Sequence, residues 1–245
     1  GDGQFTSPRA VAVGPDGSVY VADTRGNRIE KFTADGQFTK AWGSFGRIED
    51  NTALPGAFND IWGIAVDSNG FVYASDTWNH RIQKFTSDGE FVTQWGVFGL
   101  TDAGLNAMWG PRGVAVDSAN NVYVADTGNK RILVFDSEGN PLREIGSGGA
   151  LDGQLDEPTD MAVAPDGRVF VADTWNQRIQ VFSSEGEPLG KWNISGWVSQ
   201  SLDNKPYITL DEDGRVYVSD PEGYRVIVFS DSGLFQYTFG DFGAD

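Results

Sequence analysis

The 245-residue chain contains no cysteine. Disulfides, thiolate catalysis, zinc fingers and iron–sulfur ligation are excluded, while the compartment stays open. Histidine is almost absent too. His80 is the whole imidazole supply, so one chain cannot build a site that needs two His ligands. Positive charge is scarce: 18 Lys and Arg stand against 35 Asp and Glu, for a net charge of −17. Surfaces that track phosphates concentrate Lys and Arg, so nucleic acid is not an expected partner. An anionic membrane surface would repel the chain, and no run of 18 apolar residues offers a helical span. Without an initial Met or a signal-like apolar run, the sequence reads as a mature or excised segment. A helical period is missing throughout. What remains is globular in composition, 39% hydrophobic and 22% charged, and long enough to bury a core unaided.

What the sequence does have is a repeat. Asp23, Asp76, Asp126, Asp173 and Asp220 end equivalent apolar runs, spaced by 53, 50, 47 and 47 residues. Each copy opens on a short apolar segment such as Ala10-Val11-Ala12-Val13 or Gly63-Ile64-Ala65-Val66. A turn such as Pro15-Asp16-Gly17 follows, then a run such as Val122-Tyr123-Val124-Ala125-Asp126. A third run, such as Arg178-Ile179-Gln180-Val181-Phe182, leads through an acidic Gly turn to a fourth. The fourth runs end at Trp42, Trp95, Ile145, Trp192 and Phe239. Four β-branched and aromatic runs bounded by turn residues predict a four-stranded antiparallel sheet. Five such sheets, none able to bury both faces alone, predict an all-β, five-bladed β-propeller. The blades fall near 8–43, 60–96, 111–146, 158–193 and 205–240, in one domain over 1–245. Small residues (Ala12, Ala65, Ala115, Ala162, Thr209) suit the crowded innermost strand, and Phe32, Phe85, Phe135, Phe182 and Phe229 suit wider gaps further out.

The pattern of Pro, apolar segment, D-x-x-G, V-Y-V-A-D and N-x-R-I, followed by Phe and a Gly turn, resembles the NHL repeat in five copies. The fifth departs, with Asp220-Pro221-Glu222-Gly223-Tyr224-Arg225 where the others carry Thr and mostly Asn. NHL propellers often have six blades, yet this chain counts five. Joining 239–245 to 1–8 reproduces the connector between the third and fourth copies, so the expectation is a closed, five-bladed monomer. The alternative is a piece of a six-bladed or larger ring. The resemblance implies scaffold and sensor roles.

Antiparallel order sends the turns between strands one and two, and three and four, to a bottom face. These turns are rich in acids (Asp16, Asp35, Asp67, Asp88, Asp117, Glu138, Asp166, Glu185, Asp211, Asp213, Asp231), expected as solvated charge. The top face carries the long loops 44–59, 97–110, 147–157 and 194–204, where binding residues collect. Residues entering the innermost strand there differ from copy to copy: Arg9, Trp62, Arg112, Thr159 with Asp160, and Tyr207. Beside them, one position after the Asp-Thr pair, stand Arg25, Trp78 and Trp175, with Gly128 as a gap; Trp109 and Trp197 lie in the loops. Aromatic rings with Arg suit a protein or peptide partner, or a glycan as the alternative. These top-face residues are the candidate ligand-binding set, and the blander reading of Trp78 and Trp175 is that they cap neighbouring blades. The five Asp–Arg pairs (Asp23/Arg28, Asp76/Arg81, Asp126/Arg131, Asp173/Arg178, Asp220/Arg225) recur in every copy and are expected to be framework.

No catalytic residue and no cofactor are expected. Propeller lyases that resemble NHL proteins cluster metal-binding histidines, which His80 alone, expected as an exposed turn residue, cannot supply. Calcium, as in propeller lactonases, is the one metal alternative. Asp60 and Asp160 would serve it, against the cations Arg9 and Arg112 on the same rim. A carboxylate-dependent hydrolase is thus the third functional class, after protein binding and glycan binding.

Overall fold

The computed structural model describes residues 1–195, 197 and 205–243. It is all-β, a five-bladed β-propeller of four-stranded antiparallel blades, each with its strands paired in chain order. The first blade runs Pro8–Val13, Val19–Asp23, Arg28–Phe32 and Phe38–Trp42. The second runs Ile61–Val66, Val72–Asp76, Arg81–Phe85 and Phe91–Trp95. The third runs Val114–Val116, Val122–Asp126, Arg131–Phe135 and Pro141–Ile145. The fourth runs Pro158–Val163, Val169–Asp173, Arg178–Phe182 and Pro188–Asn193. The fifth runs Ile208–Leu210, Val216–Asp220, Arg225–Phe229 and Phe235–Phe239. Every blade observed is therefore one copy of the repeat, the divergent fifth included.

The chain forms two compact units: residues 1–129 with 133–143, and residues 130–132 with 144–245. In the first, Tyr20, Ala22, Ile29 and Trp42 on one face of the first blade pack on Phe58, Ile64, Val72 and Phe85 of the second. The second blade repeats the scheme with Tyr73, Ile82 and Trp95 against Val114, Val124 and Phe135. In the second unit, Phe170, Ile179 and Trp192 meet Ile208, Val218 and Phe229. Period-two alternation places one row of each strand on each sheet face. Small residues on the inner strands let neighbouring sheets approach, and rings fill the space further out.

Two expectations change. The loops 44–59, 97–110 and 147–157 are not wholly irregular. Each closes with a short parallel pair: Ser44–Phe45 with Ala57–Phe58, Val97–Phe98 with Ala107–Met108, and Ser147–Gly148 with Gln154–Leu155. Most of loop 194–204 lies outside the described residues. The turn acids, too, are more than solvated charge. Asp67 is buried and accepts the backbone N–H groups of Asn69 and Phe71 and the hydroxyl of Tyr73. Asp117 and Asp211 do the same for Tyr123 and Tyr217. An Asp that accepts from the backbone two residues on staples its own turn. The N–H of Ser18 accordingly holds the Asp16 carboxyl below its usual value.

The Asp–Arg pairs hold more than the turn. Arg81 Nε donates to Asp76 at 2.7 Å, while its other nitrogens reach the carbonyls of Ala53, Leu54 and Ala57 in the inter-blade loop. Arg178 binds Asp173 at 2.6 Å and the carbonyls of Ala150, Leu151 and Gln154. One buried guanidinium fork thus ties turn and loop to a single carboxylate.

Candidate functional site

In the first unit the chain brings together three of the expected rim residues. Trp62 lies on the innermost strand of the second blade and is only 4% exposed. The guanidinium carbon of Arg9 stands 4.1 Å from its ring centroid and that of Arg112 stands 4.3 Å away. Two cations over one indole are strong cation–π geometry. Trp62 is expected from the sequence as part of a top-face binding surface. The structure makes it an interior ring clasped by arginines. Sequence reasoning found these residues but not the stack, although a cation, an indole and a cation at one repeat position in consecutive blades was the signal. Trp62 Nε1 is buried without an acceptor among the described residues.

Next to this stack the loops expose aromatic surface. Trp78 is 41% exposed and Trp109 45%. Trp78 Nε1 donates to Asp60 at 3.1 Å, two residues before Trp62. Its backbone N–H donates to the Asn59 carbonyl. Gly128 stands at the repeat position of Trp78, and a Cβ there would lie 2.6 Å from Trp109. Trp109 therefore fills the space that glycine leaves. A Cβ at Gly110 would lie 3.7 Å from the Trp78 ring, so both indoles border the Trp109–Gly110 segment. Arg25, at the matching position of the first blade, is exposed on its turn.

His80 is not the loose turn residue expected. It takes a left-handed conformation at φ 56°, and its Nδ1 accepts the Gly110 N–H at 3.1 Å. Its ring lies 4.9 Å from that of Phe98. Burial lowers its pKa against the pull of Glu49, which favours the neutral ring that this hydrogen bond needs.

The second unit gathers the other expected residues. Thr159 is buried and spends its hydroxyl on the Pro206 carbonyl at 2.9 Å, with Thr174 Oγ1 2.8 Å away. Asp160 accepts the Ile208 N–H at 3.0 Å, and burial pushes its carboxyl up to about 7. Tyr207 is half-buried, its backbone N–H donating to Ser219 Oγ at 2.7 Å. Trp175 is 41% exposed, with Lys205 Nζ 5.6 Å from its ring. Sequence reasoning missed Lys205 and its partner Glu157, a buried ion pair at 3.0 Å. Both immediately precede a proline at the entry to an inner strand, and that was the available signal. Trp197, expected on a surface loop, is buried in the core and donates to the Ser219 carbonyl. Asp60 and Asp160 each keep protein partners, and the described residues hold no group of three or more potential metal-ligating side chains.

The family model for the NHL repeat matches residues 5–32, 58–85, 108–135 and 155–182. The fifth blade lies outside those matches, which fits its altered Asp220–Arg225 turn. The chain is 30% identical over 96 residues to protein brain tumor of Drosophila melanogaster, covering 39% of this chain and 9% of that protein. It is 33% identical over 96 residues to human NHL repeat-containing protein 3, covering 38% of this chain and 26% of that one. The chain thus corresponds to a small part of either relative. Among solved structures, a gluconolactonase of Xanthomonas campestris aligns at a TM-score of 0.71 and 17% identity, over 99% of this chain and 78% of that chain.

 That alignment takes in 99% of this chain and, at such identity, speaks for the fold alone. With four matched repeats and five blades built on one scheme, the chain belongs to the NHL-repeat β-propellers.

Proposed function

We propose that the chain is a non-catalytic binding scaffold whose loop-bearing top surface takes a protein or peptide partner. The observation that carries this reading is the pair of exposed indoles, Trp78 and Trp109, bordering one segment outside the framework positions that the blades share. The Trp residues that repeat from blade to blade pack between blades instead. Exposed Trp on rigid loops is what interface anchors are made from. The Arg9–Trp62–Arg112 stack begins two residues after Asp60, the acceptor of the Trp78 indole, and Arg25 is an exposed cation at the matching repeat position of the first blade. In the second unit the exposed Trp175, with Asp160 and Tyr207 at the entries to the two inner strands and Thr159 tying those entries together through the Pro206 carbonyl, offers a smaller surface of the same kind.

The test is a peptide-display selection on the immobilised chain, run beside a glycan array. The peptides selected should lose about thirtyfold in affinity, roughly 2 kcal/mol, for Trp78→Ala combined with Trp109→Ala. Equal binding by that double variant would move the site elsewhere. An array signal with no selected peptide would replace the reading by glycan recognition.

A further inference from the structure

The first three blades each turn from the second strand to the third through one left-handed residue: Asn27 at φ 51°, His80 at φ 56° and Lys130 at φ 58°. From there the side chain reaches the segment that leads into the next blade. Asn27 Oδ1 accepts the Asp60 N–H at 3.0 Å, and His80 Nδ1 accepts the Gly110 N–H at 3.1 Å. Lys130 Nζ pairs with Asp156 at 2.7 Å. The tie recurs, but its chemistry differs. An amide oxygen stays an acceptor and an ammonium stays a cation across the neutral range. An imidazole nitrogen changes from acceptor to donor there.

The His80 tie stands between the two exposed indoles, all within the first unit. Trp78 is moored at the entry to the second blade, through Asp60 and the Asn59 carbonyl. Trp109 is moored to the third blade: its N–H donates to Asp126 at 2.7 Å, and its carbonyl accepts the Gly128 N–H at 2.9 Å. The His80–Gly110 bond joins the two moorings, and the bond from Thr77 Oγ1 to the Pro111 carbonyl is a second, non-titrating link. An accepting Nδ1 carries no proton, so the ring holds its proton on Nε2. A second proton would set N–H against N–H. Burial opposes that proton and outweighs Glu49, the charge that favours it, so the pKa falls below 6.5. Arg81, next in sequence, is spent on Asp76 and on loop carbonyls. Phe98 packs on the ring without charge, and Arg47, Asp50 and Asp102 on the flanking loops are exposed to solvent.

We propose that His80 makes the Trp78–Trp109 surface acid-sensitive: protonation of Nδ1 breaks the tie to Gly110, loosens the Trp109 segment against Trp78 and weakens the hold on a bound peptide. The last step rests on the binding role proposed above, and the first two rest on the His80–Gly110 geometry alone. The first blade already carries a fixed version of the same tie, made by Asn27.

The test uses the fact that His80 is the one histidine of the chain, so a nitrogen-15 NMR series from about pH 8 to about pH 5 reads its ring without overlap. The expected result is the Nε2–H tautomer at the upper end. The Gly110 amide, corrected for the intrinsic effect of pH, should then lose about tenfold in exchange protection as the ring gains its proton. An equally protected Gly110 amide, the other tautomer, or a ring still neutral at about pH 5 overturns the proposal. Peptides free of His, Asp and Glu, selected by display on the immobilised chain near neutral pH, should bind about tenfold more weakly at about pH 5. His80→Asn keeps an acceptor and suits the left-handed turn, and should hold that loss under about twofold. Asp160 titrates in the same range in both chains, so the difference between them is the readout. Equal loss in both overturns the proposal. If display selects no peptide, the binding role falls, and the Gly110 amide still decides whether acid opens the tie.

Discussion

The second and fifth blades share one strand scheme but differ in how firmly it is locked. In the second, Asp76 accepts from the Asn59 N–H, the Asn79 amide, Arg81 Nε and Gln83 Nε2. Thr77 Oγ1 then donates to the Pro111 carbonyl of the following blade at 2.8 Å. In the fifth, Asp220 accepts from the Gly223 N–H and Arg225 Nε. Pro221 stands where Thr77 stands, Gly223 where Asn79 does and Ile227 where Gln83 does, so three donors are gone. Yet the fifth sheet forms with the same strand order and register. Strand pairing follows from the period-two pattern, while the polar lock serves the joint between consecutive blades.

Four measurements break or sharpen that contrast. The largest effect is expected for Trp95→Ala, which removes a ring packed on Tyr73 and Phe135; denaturant unfolding should show a loss of about 3–5 kcal/mol. Phe239→Ala, the same position on the fifth blade, should lose well under half of that. Equal losses would mean that the Phe239 ring is covered in solution. Next comes Arg81→Ala, which leaves a buried carboxylate without its cation and should cost about 3 kcal/mol or more. Arg225→Ala also leaves a buried carboxylate, but it acts on a guanidinium already 39% exposed, whose place water can take, and should cost less than Arg81→Ala. If the two Arg variants melt alike, the lock is not graded between blades.

The third test concerns pH. The Asp160 carboxyl is raised from 3.8 to about 7 in the fold. Below 3.8 both folded and unfolded chains hold that proton, so Asp160 costs nothing there. Between 3.8 and about 7 the unfolded chain ionises first, and the native state loses stability as pH rises. Asp160→Asn should therefore raise Tm relative to the wild type progressively across that window, with no further gain above it. A difference in Tm that does not vary with pH would refute the assignment. The smallest effect is expected for Trp78→Ala, an exposed ring whose loss should change stability by about 0.5 kcal/mol or less. A large drop in Tm would make Trp78 a cap on the blade and not a binding residue.

The blades were legible from local signals. Each strand run, each Gly turn and each Asp–Arg pair is defined by residues a few positions apart, and their recurrence multiplies a weak signal. The departure of the fifth copy was legible too, at Pro221 and Gly223. The site was legible only as a set of positions. Arg9, Trp62 and Arg112 could be placed at one level of the repeat, but not stacked on one another. Trp62 and Trp197 could be placed at strand entries and loops, but not in the interior.

By itself, the sequence determined the number of blades, their strand order and the framework positions, because hydrophobic period and turn chemistry act within a few residues of chain. Tertiary structure alone decided which rings are buried and which exposed, how the Glu157–Lys205 pair forms, and why Asp160 is hard to ionise. Those properties depend on neighbours that lie a blade or more away in the chain. Desolvation and packing are set by what covers a residue, and no local pattern records its cover.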